Sequence, residues 1–147
     1  MPHRLFVAID LPEDVRQRLA SLVAHAVPGV RAARAEQLHL TLHFLGEADD
    51  ASLQRIATAL PLVTQECFSI DLAGTGVFPP HGRPAVLWAG VGSCAPLHRL
   101  HEHIGRILES CGFTTERRPW VPHVTLARLS PRAPLAWPRA FLERQRD

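Results

Sequence analysis

His39-Leu40-Thr41-Leu42 returns later in the chain as His123-Val124-Thr125-Leu126, each time inside a short apolar run. Alternate side chains of a strand point to opposite faces, so His39 shares a face with Thr41, and His123 with Thr125. Leu40, Leu42, Val124 and Leu126 are then left for a core. An apolar strand that spends one face on a histidine and a threonine, twice, needs a fold that brings the two strands together. The settings of the two copies also match. Leu5–Ile9 reads as a strand, and a helix follows with Val15, Leu19, Leu22, Val23 and Ala26 at helical spacing before Pro28-Gly29. Ala85–Val91 reads as a second strand, and a second helix follows with Leu97, Leu100, Ile104, Ile107, Leu108 and Cys111 on one face before Gly112. Strand, helix and motif strand therefore occur twice, with the histidines about half the chain apart. This pattern predicts an α+β fold of two lobes related by an approximate two-fold, helices outside and a central groove between them.

The remaining segments are read from local signals. Asp49-Asp50 suits the start of a helix carrying Leu53, Ile56, Ala57 and Leu60. Residues 67–73 alternate like a half-buried strand. Gly74–Pro84 is rich in glycine and proline and reads as a loop long enough to line a site. Arg31–Gln37 reads as a polar connection. The tail after Ser130 gives no strand pattern, and a short helix fits around Pro138–Arg144.

Composition bounds the classes of function. At 147 residues, with 46% hydrophobic and 20% charged residues, the chain fits one soluble domain, 1–147. A formal net charge of +2 gives no bulk field for nucleic acid, yet every basic side chain is arginine and none is lysine. Arginine presents a planar fork suited to phosphate, which is an argument to be made site by site. Cys67, Cys94 and Cys111 lack zinc-ligand spacing and read as free thiols of a reducing compartment. No leader and no apolar run of membrane-spanning length is visible, so a cytoplasmic location is expected.

Two histidines facing one another suit phosphoryl chemistry without a metal. One neutral imidazole takes a proton from the attacking group, and the other, protonated, gives one to the leaving oxygen. A threonine two positions along the strand lies roughly 6.6 Å away on the same face and can donate to a phosphate oxygen. His39 and His43 would lie roughly 13 Å apart on a strand, too far to share a metal. His98, His101 and His103 fall on a predicted helix and read as a solvated face, His81 as a surface residue, and Trp88 and Trp120 as core. Arg83, Arg117 and Arg118 carry no assignment, and no glycine-rich phosphate loop argues for ATP.

Four stretches in this order, Arg4–Pro12, His39–Gly46, Arg83–Gly90 and Pro122–Arg128, resemble the 2H phosphoesterase superfamily. The branch is its RNA 2′,3′-cyclic phosphodiesterase, or 2′-5′ RNA ligase (LigT-like), family. The resemblance implies opening of a terminal 2′,3′-cyclic phosphate on RNA to a 2′-phosphate. It makes His39 the proton donor to the 3′ leaving oxygen, His123 the proton acceptor from water, and Thr41 and Thr125 the phosphate holders. Arg128 matches the arginine that closes the second family motif, and Phe44 an aromatic that could stack on the terminal base. Strict alternation puts Arg128 and Phe44 on the face opposite their histidines, so both need a strand irregularity to reach the site. The resemblance further implies no cofactor, no metal, no membrane, a monomer, and RNA ends, tRNA fragments included, as partners. Family members continue with strands beyond the second motif that residues after about 130 do not show. Reversible 2′-5′ ligation at the same site and a non-catalytic RNA-end binding module stand as the alternatives.

Overall fold

The computed structural model describes residues 2–23, 27–116, 119–134, 136–138 and 141. Its elements are β1 (His3–Asp10), α1 (Glu13–Leu22), β2 (Val30–Ala32), β3 (His39–Ala48), α2 (Asp50–Ala59), β4 (Leu72–Phe78), β5 (Val86–Val91), α3 (Ala95–Ser110) and β6 (His123–Leu129). Short 3-10 turns follow β2 and α2. The fold is α+β: β2, β3 and β5 each pair antiparallel with β6, and β4 pairs antiparallel with β5.

The chain divides into two compact units that are not its two consecutive halves. The first unit comprises Met1–Ala8, Thr41–Ile70 and Ser93–Val121. It thus holds α2, α3 and most of β1 and β3, which are hydrogen-bonded neighbours. Asp49 caps α2 by accepting the Ser52 N–H at 2.8 Å, as its place before an apolar-periodic run predicts. Pro96 occupies the first turn of α3, where a missing N–H costs nothing. Leu97, Ile104 and Leu108 bury one stripe of that helix. At its end the chain turns through Gly112 at φ +95°, and the Phe113 N–H returns to the Leu108 carbonyl.

The second unit comprises Ile9–Leu40, Asp71–Gly92 and Pro122–Asp147. β6 is its centre. On one edge β5 pairs with it, and β4 pairs with β5. On the other edge β6 pairs with β2 and, through Leu40↔Val124, with the start of β3. Leu40, Leu87 and Val124 are fully buried and Leu126 nearly so. Each such side chain contributes about 1.5–3 kcal/mol by leaving water.

Three segments differ from the sequence reading. The strand expected over 67–73 begins only at Leu72 and runs through Gly74 and Gly76 to Phe78, into the segment read as loop. The glycines misled for two reasons: Gly74, at φ +78°, sits in a register shift between Leu72 and Thr75, and Gly76 serves packing, since a Cβ there would stand 2.2 Å from the Trp88 ring. Val30–Ala32, inside or beside the polar connection, forms β2. Its three residues are too few to show a period. The tail helix falls largely outside the described residues; Ala136–Pro138 and Phe141 are helical, and Phe141 is fully buried.

Candidate active site

The two motif strands show the same exposure sequence over six residues: half-buried, buried, half-buried, buried, buried, exposed. His39, Thr41, His123 and Thr125 take the half-buried places, and Leu40, Leu42, Val124 and Leu126 the buried ones. The predicted division of faces is therefore present in both copies. Because Leu40 pairs with Val124, the four polar residues are the immediate chain neighbours of one cross-strand couple. Continuing that antiparallel register by one residue sets His39 opposite Thr125. His123 then lies on the diagonal, roughly 7–8 Å away by sheet geometry.

His39 is oriented from its backbone approach. The 3-10 turn Ala35–Gln37 is closed by the Gln37 N–H on the Arg34 carbonyl, and the Gln37 side chain accepts from the Arg34 N–H at 2.9 Å. The Gln37 carbonyl so held lies 2.8 Å from His39 Nδ1. A carbonyl only accepts, so Nδ1 carries the hydrogen of this bond.

His123 stands beside two aromatic rings. Phe78 meets it edge-on at 5.0 Å between centroids, and Trp88 lies at 6.3 Å. Register explains both: Gly90 pairs with His123, Trp88 with Thr125, and Gly76 with Trp88. Gly76 and Gly90 leave the sheet bare where the indole rests, since a Cβ on either would come within 2.2 Å and 3.1 Å of that ring. Trp88, read as core, is half-buried on the histidine face. Phe78 sits on the same face through its pairing with Val86.

The register of β5 with β6 shifts between Leu87 and Trp88, so that Leu87 faces Ala127 while Trp88 faces Thr125. Leu126 is the extra residue of a β-bulge, and both Leu126 and Ala127 are buried. Parity reverses there. Arg128 thereby returns to the face of His123 and Thr125 and is exposed. Its pairing with Arg31, a residue read only as part of a polar connection, puts that second arginine on the same face.

In the first unit, Phe44 is 71% exposed at the position matching Arg128, and its ring lies 6.1 Å from that of Phe6, itself 50% exposed. His43 is buried. Its Nε2 donates to the His101 carbonyl at 2.9 Å, and the two imidazoles stack at 4.1 Å. Trp120 stacks on the other side of His101 at 4.0 Å, and His98 meets Trp120 edge-on. The solvated helix face expected for His98, His101 and His103 is thus wrong for His101. Burial, then the neighbouring His43 and His98, push its pKa down to about 4. Among the described residues no three of His, Cys, Asp and Glu converge as a metal site. Among the described residues no helix is long and apolar enough to cross a membrane.

A model of the 2′-5′ RNA ligase superfamily matches residues 11–146. The chain is 40% identical over 113 residues to the RNA 2′,3′-cyclic phosphodiesterase of Aeropyrum pernix, covering 76% of this chain and 64% of that protein. It is 36% identical over 133 residues to the enzyme of that name from Archaeoglobus fulgidus, covering 89% and 75%. A crystal structure from Thermus thermophilus superposes with a TM-score of 0.74 at 35% identity, covering 90% of this chain and 79% of that one. E. coli LigT complexed with 3′-AMP superposes with a TM-score of 0.76 at 29% identity, covering 91% and 80%.

Proposed function

This chain belongs to the 2′-5′ RNA ligase superfamily, and we propose that it hydrolyses the terminal 2′,3′-cyclic phosphate of RNA to a 2′-phosphate by paired histidine acid–base catalysis. Relatives of that name match most of the chain. The observation that carries the reading is the Leu40–Val124 pairing, with a histidine and a threonine beside each partner.

In this mechanism His123 takes a proton from water as the water oxygen bonds to phosphorus. The P–O3′ bond breaks, and protonated His39 delivers its Nε2 proton to the departing 3′ oxygen. The product carries a 2′-phosphate and a 3′-hydroxyl. His123 ends protonated and His39 neutral, and solvent restores the starting states. With Nδ1 held on the Gln37 carbonyl, the His39 ring is fixed so that Nε2 is the nitrogen that delivers the proton. Thr41 and Thr125 donate to the non-bridging oxygens, Arg128 adds charge, and Phe44 offers a face to the terminal base. No metal or other cofactor has a part in these steps. The same reading includes two pseudo-two-fold-related halves flanking a central groove, supported by a strand–helix–motif-strand order that occurs twice, β1-α1-β2-β3 with β2 inserted and β5-α3-β6 without it. It also includes a monomeric cytoplasmic enzyme acting on RNA ends, tRNA fragments among them.

The test is incubation of a short RNA ending in 2′,3′-cyclic phosphate with wild type, His39→Ala and His123→Ala in EDTA. Wild type yields the 2′-phosphate, and each variant is slower by about 10²- to 10⁴-fold. Activity lost in EDTA and restored by a divalent ion overturns the metal-free mechanism. RNA binding without turnover by wild type favours a binding module, and joining of 5′-hydroxyl RNA through a 2′-5′ linkage favours ligation.

A further inference from the structure

We propose that Trp88 and Phe78 are positioning residues for His123, two ring walls that hold its imidazole in the attitude from which it takes a proton from water. The inference rests on the function proposed above. The three side chains form a closed cluster. Phe78 lies edge-on to His123 at 5.0 Å, Trp88 lies 6.3 Å from His123 at 54°, and Phe78 and Trp88 lie 5.2 Å apart at 36°. Each ring therefore packs with both of the others, in the edge-on and tilted attitudes that aromatic rings favour. The second side-chain torsion of a histidine is otherwise broad and roughly two-fold. Rings on two sides confine it.

The sheet is shaped to seat these rings. Register sets Gly90 opposite His123 and Gly76 opposite Trp88. A Cβ on Gly76 would stand 2.2 Å from the indole, and one on Gly90 would stand 3.1 Å from it. Glycine inside a strand weakens it, and neither of these two has the positive φ that would demand one. What they supply is room for the indole beside His123. The indole N–H is buried and has no hydrogen-bond acceptor among the described residues, so ring packing is what fixes Trp88. The two catalytic histidines are thus oriented by different means: His39 through its Nδ1 on the Gln37 carbonyl, and His123 through the rings. A reacting group displaced by about 1 Å can lose about a hundredfold in rate, so holding the base in line with its water is worth a measurable part of the turnover.

The experiment follows opening of a 2′,3′-cyclic phosphate on a short RNA by wild type, Trp88→Leu, Trp88→Phe and Phe78→Leu, each also in a His123→Ala background, with urea midpoints to show that each variant is folded. Trp88→Leu and Phe78→Leu lower kcat by about tenfold and leave KM unchanged. Trp88→Phe, which keeps a ring and loses the N–H, recovers most of the rate. In the His123→Ala background neither leucine variant slows the residual rate further, because the residue they act through is gone. Equal slowing in both backgrounds, a rise in KM in place of the fall in kcat, a Trp88→Phe as slow as Trp88→Leu, or full rates for both leucine variants overturns the proposal. Phe78→Leu carries the test if Trp88→Leu does not fold. Carbon-13 relaxation of the His123 Cδ2–H bond reads the ring directly: it is rigid in wild type and Trp88→Phe and mobile on the ps–ns scale in the leucine variants. An unchanged ring overturns the proposal. Failure of wild type to open a cyclic phosphate sinks the proposed function, and the relaxation measurement then decides the ring walls by itself.

Discussion

His43 Nε2 donates to the backbone carbonyl of His101 at 2.9 Å, and their rings stack at 4.1 Å. The tie joins the motif strand β3 to α3 within the first unit. His101 is held neutral, with a pKa of about 4, chiefly by burial and then by His43 and His98. In the unfolded chain a histidine titrates near about 6.5. Above that pH neither state binds the proton and the contribution is complete. As pH falls from about 6.5 toward 4, only the unfolded chain takes up the proton, so stability is lost across that window and levels off below it. Chemical denaturation from about pH 7 to about pH 4 should show the decline. His101→Phe, which keeps a ring between His43 and Trp120, should show a shallower one.

Gly76 and Trp88 are cross-strand partners, and the indole covers the glycine. Gly76→Ala forces the ring off the sheet and should cost about 1–3 kcal/mol, the usual range for overpacking. Urea denaturation measures the loss, and the near-ultraviolet circular dichroism of the tryptophans should change with it. Adding Trp88→Phe, a smaller ring, should recover part of the stability.

Gly29 has φ +79° and no room for a side chain against the Ala133 backbone. Gly29→Ala should destabilise by at least about 1–2 kcal/mol from the left-handed conformation alone. The clash adds to that cost. A urea midpoint equal to that of wild type would contradict this placement of the chain after β6.

Thr125→Val keeps the β-branched shape beside Trp88 and removes only the hydroxyl. It should slow opening of the cyclic phosphate by about 10- to 100-fold, the scale of one charge-assisted hydrogen bond. The urea midpoint should stay near that of wild type. A steady-state rate equal to wild type would remove Thr125 from the phosphate site.

Leu40 is fully buried as the partner of Val124 beneath the site. Leu40→Ala should lower the unfolding free energy by about 2–5 kcal/mol by opening a cavity there.

Period-two patterning made the two motif strands legible, and β6, His123–Leu129, begins on the second motif. Helix signals did the same for α2 and α3, whose Asp49 cap and Pro96 first turn are local features. Partnership across strands was not legible. Arg31 belongs to a three-residue strand, and only its register with Arg128 gives it a place beside the site. The bulge that turns Arg128 toward His123 arises from a mismatch between β5 and β6, which neither segment records alone. His101 misled for a related reason: its helix face is covered by His43 and Trp120, both remote in sequence. The repeat was visible, but the grouping of α1 with β4–β6 and of α3 with β1 and β3 is a property of the packed chain.

The paired-histidine mechanism is tested most directly by replacing the 3′ bridging oxygen of the cyclic phosphate with sulfur, a leaving atom that departs without a proton. His39→Ala, slowed by about 10²- to 10⁴-fold on the oxygen substrate, should return toward the wild-type rate on the sulfur substrate. His123→Ala should stay slow on both, because its water still needs a base. Rescue of His123→Ala instead, or of neither variant, would contradict the assignment of His39 as proton donor and His123 as proton acceptor.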